Sequence, residues 1–243
     1  MAKRVFSALY TLWVFVIFTG SMIIFLPGIV LPFLFGERSG WLGYKFLWIW
    51  AWVFDKLTGI RYRLIGREFI EKNKSYIFVS NHTSFLDAPG VRLMIPGEFR
   101  PLAKKELGKI PILGLIVRSA CIIVDRGDHN SRKKSIGKLI EVLKRGISPL
   151  IFAEGTQNRT KELLQPFKDG AFRIAIDTQT DILPMVVIDA SKLMYPGDII
   201  ISSPGVIKVV AGKPIAVRDF GNDMAALKQH TFEVMTNLML NKA

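Results

Sequence analysis

The sequence predicts an α/β fold with a mixed, largely buried sheet flanked by helices and an N-terminal membrane-associated helical segment. Three observations predict it: residues 5 to 35 carry no charge, short apolar runs follow from about residue 58, and amphipathic stretches separate those runs. Apolar strands that alternate with helices are typical of a sheet covered on both faces. We therefore assign residues 1–57 to the membrane segment and residues 58–243 to one α/β domain.

The charge-free stretch is 31 residues long, whereas about 20 apolar residues span the hydrocarbon of a bilayer. It ends in the bulky residues Leu34 and Phe35, which favours a retained segment over a cleaved signal peptide. Pro27 and Pro32 should kink or end a single straight helix, so we expect a hairpin or re-entrant shape. Basic residues on both sides of the stretch, including Arg38, favour cytoplasmic ends.

A second apolar stretch, residues 41–54, is rich in tryptophan. Tryptophan prefers the headgroup level of a bilayer, so we predict an interfacial helix. The alternative is that these side chains belong to the core of the domain. The residues are Trp41, Trp48, Trp50 and Trp52.

Four apolar runs predict strands of the sheet, and one spacing pattern predicts a helix between the second and the third. The strands are 75–80, 120–125, 149–153 and 182–189, and the helix carries Ile136, Leu139, Ile140 and Leu143 on one face. Residues 202–215 predict a strand pair around the turn residues Pro204 and Gly205, and residues 224–240 predict a C-terminal helix.

The composition restricts the partners of the chain. A formal charge of +13 on 243 residues, half of them hydrophobic, indicates a surface that faces nucleic acid, an anionic bilayer or phosphorylated substrates. Composition alone does not choose among these. Cys121 is the single cysteine, which excludes an intrachain disulfide, and we expect it to pack as a small apolar residue.

A histidine and a carboxylate directly follow the first predicted strand, at His82 and Asp87. Five positions do not place two side chains on one helical face, so His82 should lie in the turn, with Asp87 reaching back from the first helical turn. Such a carboxylate can bond one ring nitrogen and leave the other as a general base. The alternatives are a structural histidine and a helix-capping box formed by Ser84 and Asp87.

Two further segments end predicted strands. Glu154 to Arg159 contains a glycine that permits a tight turn and exposes backbone N–H groups, and Lys161 and Lys168 follow it. Asp125-Arg126 ends another strand with a guanidinium suited to phosphate. Taken singly, these are also common features of ordinary turns and surfaces.

Together these segments resemble the motifs of the glycerophospholipid acyltransferases, of which 1-acylglycerol-3-phosphate acyltransferase is the best known. His82-x4-Asp87 is similar to the family's first motif, and the segment ending in Arg126 to its arginine motif. Glu154-Gly155-Thr156 matches the Glu-Gly-Thr motif, and Leu183-Pro184-Met185-Val186 resembles the proline motif. Order and spacing agree over roughly residues 60–215.

The resemblance implies that His82 is the base and that Asp87 orients it. It also implies that a second set of residues binds the substrates: Lys104, Lys105, Arg126, Glu154, Gly155 and Thr156. One departure is that the family has Pro before the Glu and Arg after the Thr, where this chain has Ala153 and Gln157. Arg159 is the candidate for the missing cation.

The function implied is transfer of a fatty acyl chain from acyl-CoA or acyl carrier protein to a lysophospholipid, with 1-acylglycerol-3-phosphate as the first choice of acceptor. We expect no cofactor, no metal and no nucleic acid partner, and a membrane-bound protein whose catalytic domain faces the cytoplasm. The alternatives are another lysolipid acceptor, such as an amino-acid lipid, and a non-catalytic protein that binds anionic lipid. A serine hydrolase is discounted because the chain has no Gly-x-Ser-x-Gly elbow.

Overall fold

The computed structural model describes residues 1–36 and 39–242. Glu37, Arg38 and Ala243 lie outside the described residues, and so does the part of the predicted basic flank that Arg38 contributes. The helices are α1 Ala2–Leu34, α2 Gly40–Thr58, α3 Asp87–Met94, α4 Leu113–Ala120, α5 His129–Lys144, α6 Gly170–Thr178, α7 Ala190–Leu193 and α8 Met224–Lys242. The strands are β1 Ile60–Ile65, β2 Ile77–Ser80, β3 Phe99–Lys104, β4 Ile122–Val124, β5 Ser148–Phe152, β6 Ile182–Ile188 and β7 Gly205–Ala211.

The seven strands form one mixed sheet in the order β1-β7-β6-β2-β5-β3-β4. All neighbours are parallel except β6 and β7. Helices α1 to α4 contribute to one buried apolar cluster, and α5, α6 and α8 to another. The predicted α/β class with a mixed, buried sheet is therefore confirmed, and β2 lies at its centre with both faces covered.

The four predicted strands are present as β2, β4, β5 and β6, and the two predicted helices as α5 and α8. Strands β1 and β3 were not predicted. Arg61 and Arg63 interrupt the apolar pattern of β1, and Arg100 and Pro101 interrupt that of β3. A single-residue alternation on a half-exposed strand gives a weaker signal than the continuous apolar run of a central one.

The strand pair predicted over residues 202–215 is wrong. Only one strand forms there, β7, which pairs with β1 on one side and with β6 on the other. Pro204 and Gly205 lead into that strand and do not turn between two, and Ile215 makes an isolated bridge to Ile182. The apolar run over Val206 to Ala211 is explained by partners distant in sequence.

Helices α1 and α2 pack as an antiparallel hairpin. The charge-free run itself, which was expected to form a hairpin or re-entrant shape, is one continuous helix. Helix α1 continues through Pro27, so that proline does not end it, and it ends two residues after Pro32. Three side-chain bonds tie its first half to α2: Tyr10 Oη donates to the Thr58 carbonyl at 2.7 Å, Trp13 Nε1 to the Leu57 carbonyl at 3.1 Å, and Trp50 Nε1 to the Phe18 carbonyl at 3.5 Å. The hairpin shares its apolar cluster with the sheet.

The tryptophans of α2 divide between the two interpretations. Trp50 is buried in the core, whereas Trp41 and Trp52 are exposed. Cys121 is partly buried just after α4, and burial raises the pKa of its thiol to about 12. Among the described residues, α1 is the one helix long and apolar enough to cross a membrane, and most of that apolar stretch faces outward.

Candidate active site

The carboxyl end of β2 is fixed by Asn81. Its side-chain Nδ2 donates to the Val187 carbonyl at 2.9 Å, and its Oδ1 accepts from the Val187 N–H at 2.7 Å. The amide therefore takes the place of a backbone partner for β6 one residue beyond the end of β2. The following residue, His82, consequently leaves the sheet at a defined position at its centre.

His82 and Asp87 have the geometry that their spacing predicts. His82 lies in the turn, Asp87 is the first residue of α3, and Nδ1 of the ring is 2.8 Å from Oδ2 of the carboxylate. A carboxylate can only accept, so a neutral ring in this contact carries its hydrogen on Nδ1. The lone pair then lies on Nε2, to which no described residue is bonded.

Asp87 is held in place by the same turn. Its side chain is 0% exposed, and Oδ2 also accepts the N–H groups of Thr83 at 2.7 Å and Ser84 at 2.9 Å. Ser84 does not cap the helix, because Leu86 is the N-cap of α3 and the Ser84 hydroxyl accepts from the Leu86 N–H. The capping-box alternative is therefore wrong, and the geometry is that of a carboxylate that holds the turn and the histidine ring.

The His82 ring stacks on Phe152, the last residue of β5, with 4.3 Å between ring centroids. This contact was not predicted, because β5 is adjacent to β2 only in the folded sheet. Together with the bond to Asp87 it restricts the ring from a second direction. About a fifth of the imidazole side chain remains exposed.

Glu154 is buried, and its carboxylate accepts hydrogen bonds from two backbone N–H groups. Its residue is 1% exposed; Oε1 accepts the N–H of His82 at 3.0 Å and Oε2 that of Gln165 at 2.9 Å. Burial raises the pKa of this carboxyl, and the two bonds act in the opposite direction. Glu154 therefore supports the histidine turn through its backbone, and its expected contact with substrate stays a prediction.

The predicted cations divide into two groups. Lys105 forms an ion pair with Asp125, and Lys104 lies 3.5 Å from Glu106, so both already have carboxylate partners. The bond from Lys105 lowers the pKa of the Asp125 carboxyl. Arg126 instead donates to the carbonyl of Gly155, which joins the arginine motif to the Glu-Gly-Thr turn, and burial lowers its pKa.

A cleft of about 800 Å³ opens beside this turn, between α5 and α6. Arg126, Gly155 and the Phe152 that supports His82 line it. Lys168, which follows the Glu-Gly-Thr segment in the sequence, lines it, and so do three cations that the motifs did not indicate: Arg132, Lys133 and Arg173. Its one carboxylate, Asp169, is paired 2.7 Å away with Lys228. None of these four cations forms an ion pair with a carboxylate of residues 1–36 or 39–242. The cleft therefore carries positive charge that an anionic ligand would balance.

Gly155 has a φ of +75°, the left-handed region that favours glycine, and a Cβ there would lie 3.2 Å from Lys168 Cγ. Thr156 is exposed. Arg159 does not line the cleft: its guanidinium lies against Gly197, where it occupies the space of a Cβ. Gln157, which replaces the family's arginine, accepts the Gly197 N–H at 3.0 Å. Within the described ranges, no group of three His, Cys, Asp or Glu is placed to hold a metal.

His82, Asp87 and the Glu-Gly-Thr turn lie at the carboxyl edge of the central strands of a mostly parallel sheet. This arrangement defines a class of protein, and comparison with known proteins identifies it. The family model described as Acyltransferase matches residues 61–188, more than half of the chain. The chain belongs to this acyltransferase family, which confirms the resemblance found in its motifs.

Several relatives carry a more specific name. The chain is 36% identical over 135 residues to 1-acyl-sn-glycerol-3-phosphate acyltransferase alpha of Homo sapiens, covering 54% of this chain and 47% of the relative. It is 33% identical over 147 residues to 1-acyl-sn-glycerol-3-phosphate acyltransferase of Saccharomyces cerevisiae, covering 59% and 48%. The chain thus spans about half the length of the curated relatives it matches.

The fold as a whole matches a solved structure. The crystal structure of PlsC, the 1-acyl-sn-glycerophosphate (LPA) acyltransferase of Thermotoga maritima, superposes with a TM-score of 0.83 at 24% identity. The match covers 99% of this chain and 98% of that chain, so it includes the N-terminal hairpin. At that identity the likeness establishes the fold.

Proposed function

We propose that this protein transfers a fatty acyl chain from an acyl thioester to the free hydroxyl of a lysophospholipid. The observation that carries the proposal is the 2.8 Å contact between His82 Nδ1 and buried Asp87, which leaves Nε2 unbonded. The ring also stacks on Phe152, and Phe152 lines the cationic cleft. A positioned base near a site for an anionic acceptor is what this reaction needs. The names of the relatives support the same choice.

In the proposed step, His82 Nε2 takes the proton of the lysolipid hydroxyl as that oxygen attacks the thioester carbonyl. Collapse of the tetrahedral intermediate forms the ester and breaks the carbon–sulfur bond, and the imidazolium returns the proton to the departing thiolate. Asp87 holds the ring and stabilises its charged form. A positioned base contributes about 10²–10⁴-fold to such a rate. No acyl-enzyme intermediate is required.

The acceptor we favour is 1-acylglycerol-3-phosphate, giving phosphatidic acid. Its phosphate suits Arg126 with Lys168 and Arg173, which line the cleft without carboxylate partners in the described chain. Gly155 and Thr156 complete the proposed binding set through the turn that Arg126 holds. Lys104 and Lys105, each beside an acid, are proposed to act at the rim. The donor is acyl-CoA or acyl carrier protein, both of which carry negative charge.

A second acceptor class follows from one specific observation. Gln157 replaces the arginine expected after the Thr, and Arg159 lies against Gly197 outside the cleft. One cation of the family's set is therefore absent from the place where the motif would put it. An acceptor with a different headgroup, such as an amino-acid lysolipid, is the alternative that fits this change.

We also propose that α1 holds the protein at the membrane with the catalytic domain on the cytoplasmic face. Lipid-soluble acceptors stay in the bilayer, so an enzyme that uses them gains from residence there. The exposed apolar surface of α1 and the basic residues Lys3 and Arg4 at its start fit this placement.

The test is acyl transfer by the purified full chain in mixed micelles. Labelled acyl-CoA and labelled acyl carrier protein are each offered with lysophosphatidate, a zwitterionic lysolipid and an amino-acid lysolipid. Transfer that His82→Ala removes, while micelle binding persists, is the expected result. Binding of lipid with no transfer to any acceptor would instead identify a non-catalytic lipid-binding protein.

A further inference from the structure

A short loop beyond β6 presents three large apolar side chains to solvent. It comprises residues 195–200, hereafter the 195–200 loop, and is closed at its neck by a bridge between Met194 and Ile201. Tyr195 is 61% exposed, Ile199 74% and Ile200 44%. Neighbouring apolar side chains exposed at this level mark a surface that meets an apolar partner.

The loop is built to hold those side chains outward. The Asp198 carboxylate accepts the N–H groups of Ile199 at 2.6 Å and Ile200 at 3.1 Å, and the Asp198 N–H donates to the Tyr195 carbonyl at 3.0 Å. These bonds satisfy the backbone of the turn internally and engage its one carboxylate. The exposed isoleucines are therefore a feature of an ordered turn.

The same loop is attached to α1. The Ile201 N–H donates to Thr11 Oγ1 at 2.9 Å, and Ser7 Oγ donates to the Ser202 carbonyl at 2.9 Å. This part of α1 exposes further apolar side chains: Val5, Phe6, Leu9, Leu12 and Trp13. Loop and helix therefore lie side by side, and both expose apolar side chains, with Lys3 and Arg4 at the helix start.

On its other side the loop is attached to the candidate active site. The Gly197 N–H donates to Gln157 Oε1 at 3.0 Å, and the Arg159 guanidinium packs on Gly197. Both side chains belong to the segment that begins at Glu154, whose carboxylate holds the backbone of His82. The loop therefore links α1 to the turn beside the base.

We propose that the 195–200 loop inserts Tyr195, Ile199 and Ile200 into the interface of the bilayer as a second membrane contact beside α1. In that position it holds Arg159 at the level of the lipid phosphates, at the edge of the active site. The occupant is a lipid surface because the patch lies beside the exposed apolar side chains of α1 and carries cations on its margin. This inference rests on the proposed membrane location of α1.

Depth-dependent fluorescence quenching tests the insertion. Single cysteines replace Leu12, Ile199 or Leu240 in a Cys121→Ala background, and each carries an environment-sensitive fluorophore. Leu240 is a matched control because it is equally apolar and 62% exposed, but lies on α8, which packs with the opposite apolar cluster. The full chain is reconstituted in phosphatidylethanolamine and phosphatidylglycerol vesicles that contain spin-labelled lipid.

We expect quenching at positions 12 and 199 and none at position 240. Quenching at position 12 alone would overturn the loop contact and leave the membrane location of α1 standing. Lack of quenching at all three positions would overturn both.

Kinetics test the positioning of Arg159. Ile199→Ser with Ile200→Ser is compared with Leu240→Ser, using acceptor dispersed in vesicles and acceptor in detergent. For the loop variant we expect KM for the vesicle-borne acceptor to rise about tenfold, with little change in detergent. An equal KM in vesicles for the loop variant and the control would contradict the positioning.

Discussion

Glu154 holds His82 by its backbone: Oε1 accepts the His82 N–H at 3.0 Å, while Oε2 accepts that of Gln165. One buried carboxylate therefore connects the turn after β2 with the loop that precedes α6. The Glu-Gly-Thr motif and the His-x4-Asp motif are parts of one hydrogen-bonded unit, since the Asn158 N–H also donates to the His82 carbonyl at 2.7 Å. Disturbing either segment should displace the ring.

Replacing Glu154 by Gln should lower both stability and activity. The amide offers one acceptor oxygen, so one of the two buried N–H groups loses its partner, at a cost of about 1–3 kcal/mol. Denaturant unfolding measures that loss, and acyl transfer by the folded fraction measures the displacement of His82. Full activity in a destabilised variant would show that the backbone contact does not place the ring.

The same variant gives a pH dependence. Burial raises the pKa of Glu154, and a carboxyl with a raised native pKa contributes stability that is present below its ordinary pKa and lost as the pH rises through the native value. The free energy of unfolding of the wild type should therefore exceed that of Glu154→Gln by the largest amount at acid pH. This difference should shrink as the pH rises through the native pKa of Glu154. Thermal unfolding at a series of pH values tests it; a difference that grows with pH would show that the two N–H bonds outweigh burial.

Removing the imidazole should remove catalysis and spare the fold. His82→Ala is expected to lower kcat by about 10²–10⁴-fold, because the ring is the group placed to accept the hydroxyl proton. His230→Ala is the matched control, since His230 is exposed on α8, outside the cleft lining, with no carboxylate partner in the described chain. Circular dichroism checks folding, and comparable losses in the two variants would argue against a specific base.

Much of this site follows from the sequence, for a physical reason. Ends of parallel strands meet at one edge, so short motifs that follow apolar runs predict their own convergence, and the turn geometry of His82 and Asp87 follows from a five-residue spacing. The ring contact with Phe152 and the cation at Arg173 depend on which strands and helices become neighbours. No local pattern encodes that adjacency.

In the fold, too, local patterns predict some elements, and adjacency in the folded sheet decides the others. Central strands are apolar throughout and could be predicted, whereas β1 alternates with arginine and was missed. Strand β7 was mistaken for a pair because its two partners are distant in sequence. The motifs also do not specify that Glu154 is buried against backbone, since a carboxylate beside a glycine turn is equally typical of an exposed site.

Exchanging Asp87 for Asn separates orientation from charge. The amide keeps the size of the side chain, but its neutral oxygen accepts more weakly than the carboxylate oxygen Oδ2, which takes the donors of His82, Thr83 and Ser84. We therefore expect the neutral ring to lose much of its preference for the tautomer with hydrogen on Nδ1. Activity should fall by about 10²–10⁴-fold, and unfolding free energy by about 1–3 kcal/mol, because the N–H groups of Thr83 and Ser84 share the same oxygen. NMR of the His82 ring nitrogens measures the tautomer; an unchanged tautomer in an inactive variant would assign the loss to charge alone.

The cleft cations should distinguish a phosphorylated acceptor from an uncharged one. Lys168 and Arg173 line the cleft without a carboxylate partner among the described residues, so replacing either by Ala removes attraction for an anion and leaves no buried acid unpaired. A hydrogen bond to a charged group contributes about 1.5–3 kcal/mol, and 1.4 kcal/mol is about tenfold in affinity. We expect KM for lysophosphatidate to rise at least about tenfold in each variant, with kcat and the KM for monoacylglycerol little changed.

Lys134→Ala is the control for the overall positive field, which acts over about 10 Å at 0.1 M salt. Lys134 is an exposed lysine of α5 outside the cleft lining. Because the field would affect all three variants alike, an equal shift with Lys134→Ala would place the phosphate elsewhere.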